Sequence, residues 1–175
     1  MVRVYLSLGS NSERERHIGA ALDALSERFG ELLISSVYES EAVGFDGDNF
    51  YNLVVGIDTD LDVAPLSACL KGIEDDNGRD RSGPRFSGRT LDIDILTYGG
   101  LKQPVAGVQL PREEILHNAF VLQPLAEVAP DVCHPVLGES YAQLWQQYDR
   151  QQKLWPIDFD WQGQRISRAG SSNRK

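Results

Sequence analysis

The sequence predicts an α+β domain: a ferredoxin-like β-α-β-β-α-β core with an antiparallel sheet, extended by C-terminal helices and a short extra strand or hairpin. Three observations carry this. Strand-like and helix-like stretches follow one another in that order through residue 99. The turn-rich segment GFDGDN (44–49) joins the second and third strand candidates, which implies an antiparallel pair. The segments after residue 99 repeat none of this pattern, so they read as additions to the core.

Each element has its own warrant. VRVYLSL (2–8) is rich in β-branched and aromatic residues, as strands are, and Gly9 ends it. Ile18, Ala21, Leu22 and Leu25 then recur at helical spacing, with Phe29 one turn on and Gly30 as the stop. ELLISSVYESEAV (31–43) and FYNLVVGIDT (50–59) are the second and third strands. In APLSACLKGIEDDNG (64–78), Leu66, Leu70 and Ile73 share a helix face, and Asn77-Gly78 closes it. TLDIDILTYG (90–99) is the fourth strand. Beyond it, a helix is expected over Ala119 to Val128 and another in SYAQLWQQYDRQQ (140–152). IDFDWQGQRI (157–166) reads as a short strand or hairpin, and SRAGSSNRK as a loose tail. Residues 1–155 are taken as one domain and 156–175 as a partly loose C-terminal extension.

Composition narrows the role. Hydrophobic residues make up 41% and charged residues 25%, the balance of a soluble globular chain. No apolar run is long enough to cross a membrane. The first residues are too polar for an export signal, which points to the cytoplasm. Cys69 and Cys133 form no metal-binding or redox pattern and read as reduced, buried thiols. The net charge of −9 disfavours a nucleic-acid partner. The cations nevertheless cluster: GRDRSGPRFSGR holds Arg79, Arg81, Arg85 and Arg89 just ahead of the fourth strand.

That strand carries the chemistry. Asp92 and Asp94 are two apart, so they project from the same face, while Leu91, Ile93 and Ile95 project from the other. The apolar set should face the helices. The carboxylates should face a side that is at least partly open, since unpaired charges are costly to bury. Adjacent carboxylates repel, and a hard divalent cation such as Mg²⁺ removes the repulsion while keeping waters and sharing substrate phosphates. Arginines next to such a pair suit a phosphate clamp. The alternative, an amphipathic strand with a solvated polar face beside a solvated basic loop, stays open on these residues alone.

YLSLGSN (5–11), FYNLVV (50–55), GPRFSGRTLDIDIL (83–96) and FVLQPLAEVAPD (120–131), in this order, resemble the 6-hydroxymethyl-7,8-dihydropterin pyrophosphokinases of folate biosynthesis. The resemblance runs from about Val4 to Trp145. It implies an enzyme that moves the β,γ-pyrophosphoryl group of ATP, its co-substrate, onto the pterin hydroxymethyl oxygen and releases AMP. It further implies two Mg²⁺ ions on Asp92 and Asp94, with Arg79 and Arg89 as catalytic contacts to the transferring phosphates. For the pterin it implies edge contacts by Asn52, stacking by Phe120 and Phe50, and backbone contacts from the segment Ser40 to Val43. For ATP it implies Glu74, Ile95 and Arg112 alongside the two arginines. Arg112 stands where the family usually has histidine, and Asn118 and Ala119 where it often has arginine. The implied state is a monomer. Two further readings remain open: a same-fold paralogue with an altered substrate or a binding-only role, and a ferredoxin-like regulatory or interaction module.

Overall fold

Alternation in the first segment sets the plan of the sheet. The computed structural model describes residues 1–41, 49–78, 91–149 and 152–170. Strand β1 (Val2–Ser10) puts Val4, Leu6 and Leu8 into the main core and Tyr5 into a second cluster on its other side. Helix α1 (Arg14–Phe29) buries Ile18, Ala21, Leu22 and Leu25 on that main core. It ends at Gly30, whose φ of 82° only glycine adopts freely and whose N–H reaches the Ser26 carbonyl at 2.8 Å.

The single strand expected over 31–43 is instead two, β2 (Leu33–Ile34) and β3 (Tyr38–Ser40). The serines between them break the ladder. Ser35 Oγ accepts the Val54 N–H at 2.9 Å, and Ser36 donates both its N–H and its hydroxyl to Glu127. Side chains that bond backbone in this way compete with regular strand pairing.

Strand β4 (Phe50–Thr59) and helix α2 (Val63–Asp76) fall where expected. Strand β5 (Asp92–Tyr98) follows, and the arginine-rich stretch 79–90 ahead of it lies outside the described residues. The strand order β5-β1-β4-β3 is antiparallel throughout, with β2 also on β4, which completes the ferredoxin-like core. Leu91, Ile93 and Ile95 join Leu66, Leu70 and Ile73 of α2 in the core, as their parity requires.

The other face of the sheet is only partly open. A short helix that the periodicity did not reveal, α3 (Glu114–His117), leads into α4 (Ala119–Val128), and α5 (Tyr141–Gln147) follows. Their residues Ile115, Val121, Leu122, Leu125, Tyr141 and Leu144 pack on Tyr5, Val54 and Leu96 of the sheet. Helix α5 is shorter than its sequence suggests, and it starts on a capping box between Ser140 and Gln143.

Before α5, His134 is buried, and its Nδ1 accepts the N–H groups of Val136 and Leu137, both at 3.2 Å. Burial holds its pKa below the usual 6.5. The folded chain therefore keeps the ring neutral, and the unfolded chain takes up the proton first as pH falls. The stabilisation is complete above pH 6.5 and is lost as pH falls through the depressed value. His134→Asn keeps an acceptor near the Nδ1 position. We expect thermal unfolding measured from pH 7 to 5 to be flatter in that variant than in the parent.

The expected boundary at 155/156 falls inside a strand. β6 (Leu154–Pro156) pairs antiparallel with β3 at the sheet edge opposite β5. β7 (Phe159–Trp161) and β8 (Gln164–Ser167) form a hairpin through Gln162 and Gly163, both at positive φ, as a tight two-residue turn requires. Phe159 enters the main core, and Ser167 Oγ meets the Val37 N–H at 2.9 Å and the Ile157 carbonyl at 2.6 Å.

Candidate active site

On the sheet face shared with α4, small residues leave a hollow beside the carboxylates. Asp94 lies opposite Ser7 and Asp92 opposite Gly9, and Gly9 in turn lies opposite Asn52 of β4. Asp92 and Asn52 are thus two strand spacings apart, about 10 Å along the sheet. Gly9 has a specific reason to be glycine: a Cβ there would sit 3.0 Å from the Asn52 amide nitrogen. A cleft of about 740 Å³ opens over this row. It gathers Ser40, Phe50, Asn52, Glu74, Asp92, Asp94, Ile95, Arg112 and Phe120, all singled out from the sequence. Val43, Arg79 and Arg89 lie outside the described residues.

At the β3–β4 end, the Ser40 hydroxyl donates to Asn52 Oδ1 at 2.8 Å, and both side chains are buried. With the carbonyl occupied, the Asn52 NH₂ is the part of the amide that points toward Gly9 and the cleft. Phe50 and Phe120 line the same cleft half-buried, and Phe120 also packs against the second cluster. Phe120 is on the first turn of α4, where the Asn118 carbonyl takes the N–H groups of Val121 and Leu122 at 3.1 and 2.9 Å. Pro124 has no N–H to give the Phe120 carbonyl, so that first turn depends on Asn118.

At the β5 end the field is acidic. Asp94 is half-buried, and its pKa is pushed above the usual carboxylate range by burial first, then by Asp92, Glu114 and Glu74; Arg112 pulls it the other way. The Arg112 guanidinium is 3.7 Å from Asp94 and 3.1 Å from Glu114, and its backbone N–H is tied to the Leu96 carbonyl at 2.8 Å. Glu74, which the resemblance places at the ATP site, lines the cleft from α2. It is buried, and its Oε2 accepts the Ile93 N–H at 2.7 Å. Strand β5 is an edge strand, so this carboxylate from α2 caps an N–H between the two aspartates and braces their strand.

The donor set fits a hard divalent cation. Among the described residues no cluster of three or more His, Cys, Asp or Glu surrounds a metal position. A cation held by two carboxylates takes its remaining ligands from water or a substrate, which suits Mg²⁺.

Sequence reasoning passed over part of the lining. Ser7 and Gly9 carried a usable signal, small residues two apart at the end of a strand. Ser67, Leu70 and Lys71 line the cleft from the α2 surface that also bears Glu74, Glu114 comes from the start of α3, and Gln109 comes from the connection after β5. That connection has no periodicity from which its approach to the cleft could be read.

A cleft divided in this way suits a group-transfer enzyme with two substrates, one rich in phosphate and one flat and aromatic. Residues 5–130 match the family model of the 7,8-dihydro-6-hydroxymethylpterin-pyrophosphokinases (HPPK). The chain is 41% identical over 138 residues to the 2-amino-4-hydroxy-6-hydroxymethyldihydropteridine pyrophosphokinase of Pseudomonas aeruginosa, covering 76% of this chain and 84% of that one. It is 36% identical over 138 residues to the protein of the same name from Aquifex aeolicus, covering 78% and 86%. In fold it is similar to the crystal structure of Plasmodium falciparum HPPK-DHPS, with a TM-score of 0.64 at 16% identity, over 85% of this chain and 44% of that longer one. The chain belongs to the HPPK family, and it is a pyrophosphokinase. Among the described residues no helix is long and apolar enough to cross a membrane.

Proposed function

We propose that this chain transfers the β,γ-pyrophosphoryl group of ATP to 6-hydroxymethyl-7,8-dihydropterin, forming the pterin diphosphate and AMP for folate synthesis. The hydroxymethyl oxygen forms the new bond to the β-phosphorus and gives up its proton. The bond from that phosphorus to the oxygen bridging it to the α-phosphate breaks, and AMP leaves with the electron pair. The observation that carries this reading is the single cleft of about 740 Å³ holding both a paired-carboxylate end and an aromatic–amide end.

At the ring end, Phe50 and Phe120 would stack on the pterin, and Asn52, its carbonyl held by Ser40, would present its NH₂ to the ring edge. The backbone near Val43 would complete that end. At the other end Asp92 and Asp94 would hold Mg²⁺, two ions by the family pattern. Mg²⁺ held there would neutralise the triphosphate charge. Arg79 and Arg89 would contact the transferring phosphates, the Ile95 backbone would meet adenine, and Glu74 would keep β5 in place. Arg112, already beside Asp94, would add positive charge near the phosphates.

The test is AMP release from MgATP with and without the pterin. AMP that depends on the pterin supports the reading. Well-folded protein that binds both ligands but releases no AMP would establish a binding paralogue instead, and protein that binds neither would leave an interaction module.

Gly9 offers a narrower check. Gly9→Ala would press a methyl on the Asn52 amide. Loss of one good hydrogen bond to the ring predicts a pterin KM about tenfold higher. The unfolding temperature should fall by only about 2–10 °C, because Gly9 is not at a positive φ and the overpacking is confined to the Asn52 amide. Steady-state kinetics and thermal unfolding of that one variant check both halves.

A further inference from the structure

The C-terminal strand β6 lies beyond the family-matched residues, yet it is bonded to β3, the strand that ends in Ser40. Ser40 lies opposite Leu154, and Glu39 opposite Trp155. Successive strand residues point to opposite faces. Ser40 therefore reaches the cleft and Asn52, while Glu39 points to the α1 side. There its carboxylate collects three donors from three parts of the chain. Oε1 accepts the Trp155 indole N–H at 3.2 Å. Oε2 accepts Arg14 Nη1 of α1 at 3.1 Å and Asn49 Nδ2 at 3.2 Å. Arg14 also donates to the Asn49 carbonyl at 3.0 Å and stands 4.2 Å above the Tyr51 ring. The Arg14 and Glu39 side chains are only 27% and 21% exposed, so solvent weakens this pair less than an open surface bridge.

The residues so tied alternate with those of the cleft. Asn49 and Tyr51 flank Phe50, Tyr51 precedes Asn52, and Glu39 precedes Ser40. We infer that the Glu39 hub, closed by Trp155 of β6, is a positioning device that holds Ser40, Asn52 and Phe50 in register for the flat substrate from the opposite face of the sheet. The inference rests on the pterin reading above. It makes Glu39, Arg14 and Trp155 positioning residues, since none of them lines the cleft. Without β6 and the hub, β3 would be a three-residue edge strand, the kind of element that frays.

The experiment is a double-mutant cycle on steady-state kinetics. Glu39→Ala is expected to raise the pterin KM about tenfold through a looser ring pocket, with kcat and the ATP KM within about twofold of the parent. Ser40→Ala should raise the pterin KM as well. The double variant should cost little more than Ser40→Ala alone, because the two residues act in series. Should Glu39→Ala fold poorly, Trp155→Phe keeps the ring and removes one hydrogen bond, and about a threefold rise in pterin KM is expected. A lower unfolding temperature with an unchanged pterin KM would make the hub a mere brace and overturn the inference. So would full additivity of Glu39→Ala and Ser40→Ala. Parent protein that makes no AMP from the two substrates would instead remove the pterin reading, and this inference with it.

Discussion

Asparagine at both 92 and 94 is expected to lower pyrophosphoryl transfer on the order of 10³-fold or more, the usual scale for removing groups that stabilise transferring charge. Removing the Asp94 charge should not by itself destabilise the fold. The Asp94 carboxyl is held above its usual pKa, by burial first and then by neighbouring carboxylates. The ionised form is therefore disfavoured in the folded chain. That penalty is present at neutral pH and is relieved as pH falls through the raised value, which is the sign for a group that binds its proton more readily when folded. Asn at 94 removes the penalty at every pH. The metal-free Asp94→Asn variant should therefore unfold no lower than the parent, and each kcal/mol gained would appear as about 2–4 °C in a chain of this size. MgCl₂ with a non-hydrolysable ATP analogue should raise the unfolding temperature of the parent and not of the double variant. Activity and stability moving in opposite directions is the signature of residues kept for function. If the two fell together, the aspartates would be structural and the assignment would fail.

Phe159→Ala is expected to cost about 3–5 kcal/mol, the range for truncating a buried aromatic. Phe159 is only 6% exposed and belongs to the main core with residues of the plait. It comes from the hairpin β7–β8, which the Trp161 indole further ties to Asp23 of α1 at 2.8 Å. An extension that merely trails the domain would tolerate the change. A cavity in a shared core would not, and thermal or denaturant unfolding should show one cooperative transition shifted down by roughly 6–20 °C. A shift smaller than a degree or two would mean that residues 157–167 fold apart from the core.

Several features needed no coordinates. The parity of Asp92 and Asp94 followed from their spacing, because a strand places residues two apart on one face whatever surrounds it. The order of the plait and the span of α4 followed from local periodicity and turn residues, which act over a few positions. The four ordered matches to a known family pointed to the family that the chain belongs to, and proposed roles for positions such as Asn52 and Phe120 that spacing alone leaves as core or turn residues.

Other features lay beyond any local signal. Ser35 and Ser36 read as strand, and only the presence of Val54 and Glu127 nearby turns them into a break. Glu74 is implied by the resemblance as an ATP-site residue, and only the edge of β5 gives it an amide to cap. LWP (154–156) is too short to announce a strand, and it becomes β6 because β3 had a free edge to offer. The cleft itself exists because α3, α4 and α5 cover Tyr5, Val54 and Leu96 but stop short of Ser7 and Gly9. The sequence by itself therefore determined which side chains share a strand face and which family signature they carry. The tertiary structure decided which of those faces stays open and what braces it, because edge pairing and burial are settled by residues far apart in the chain.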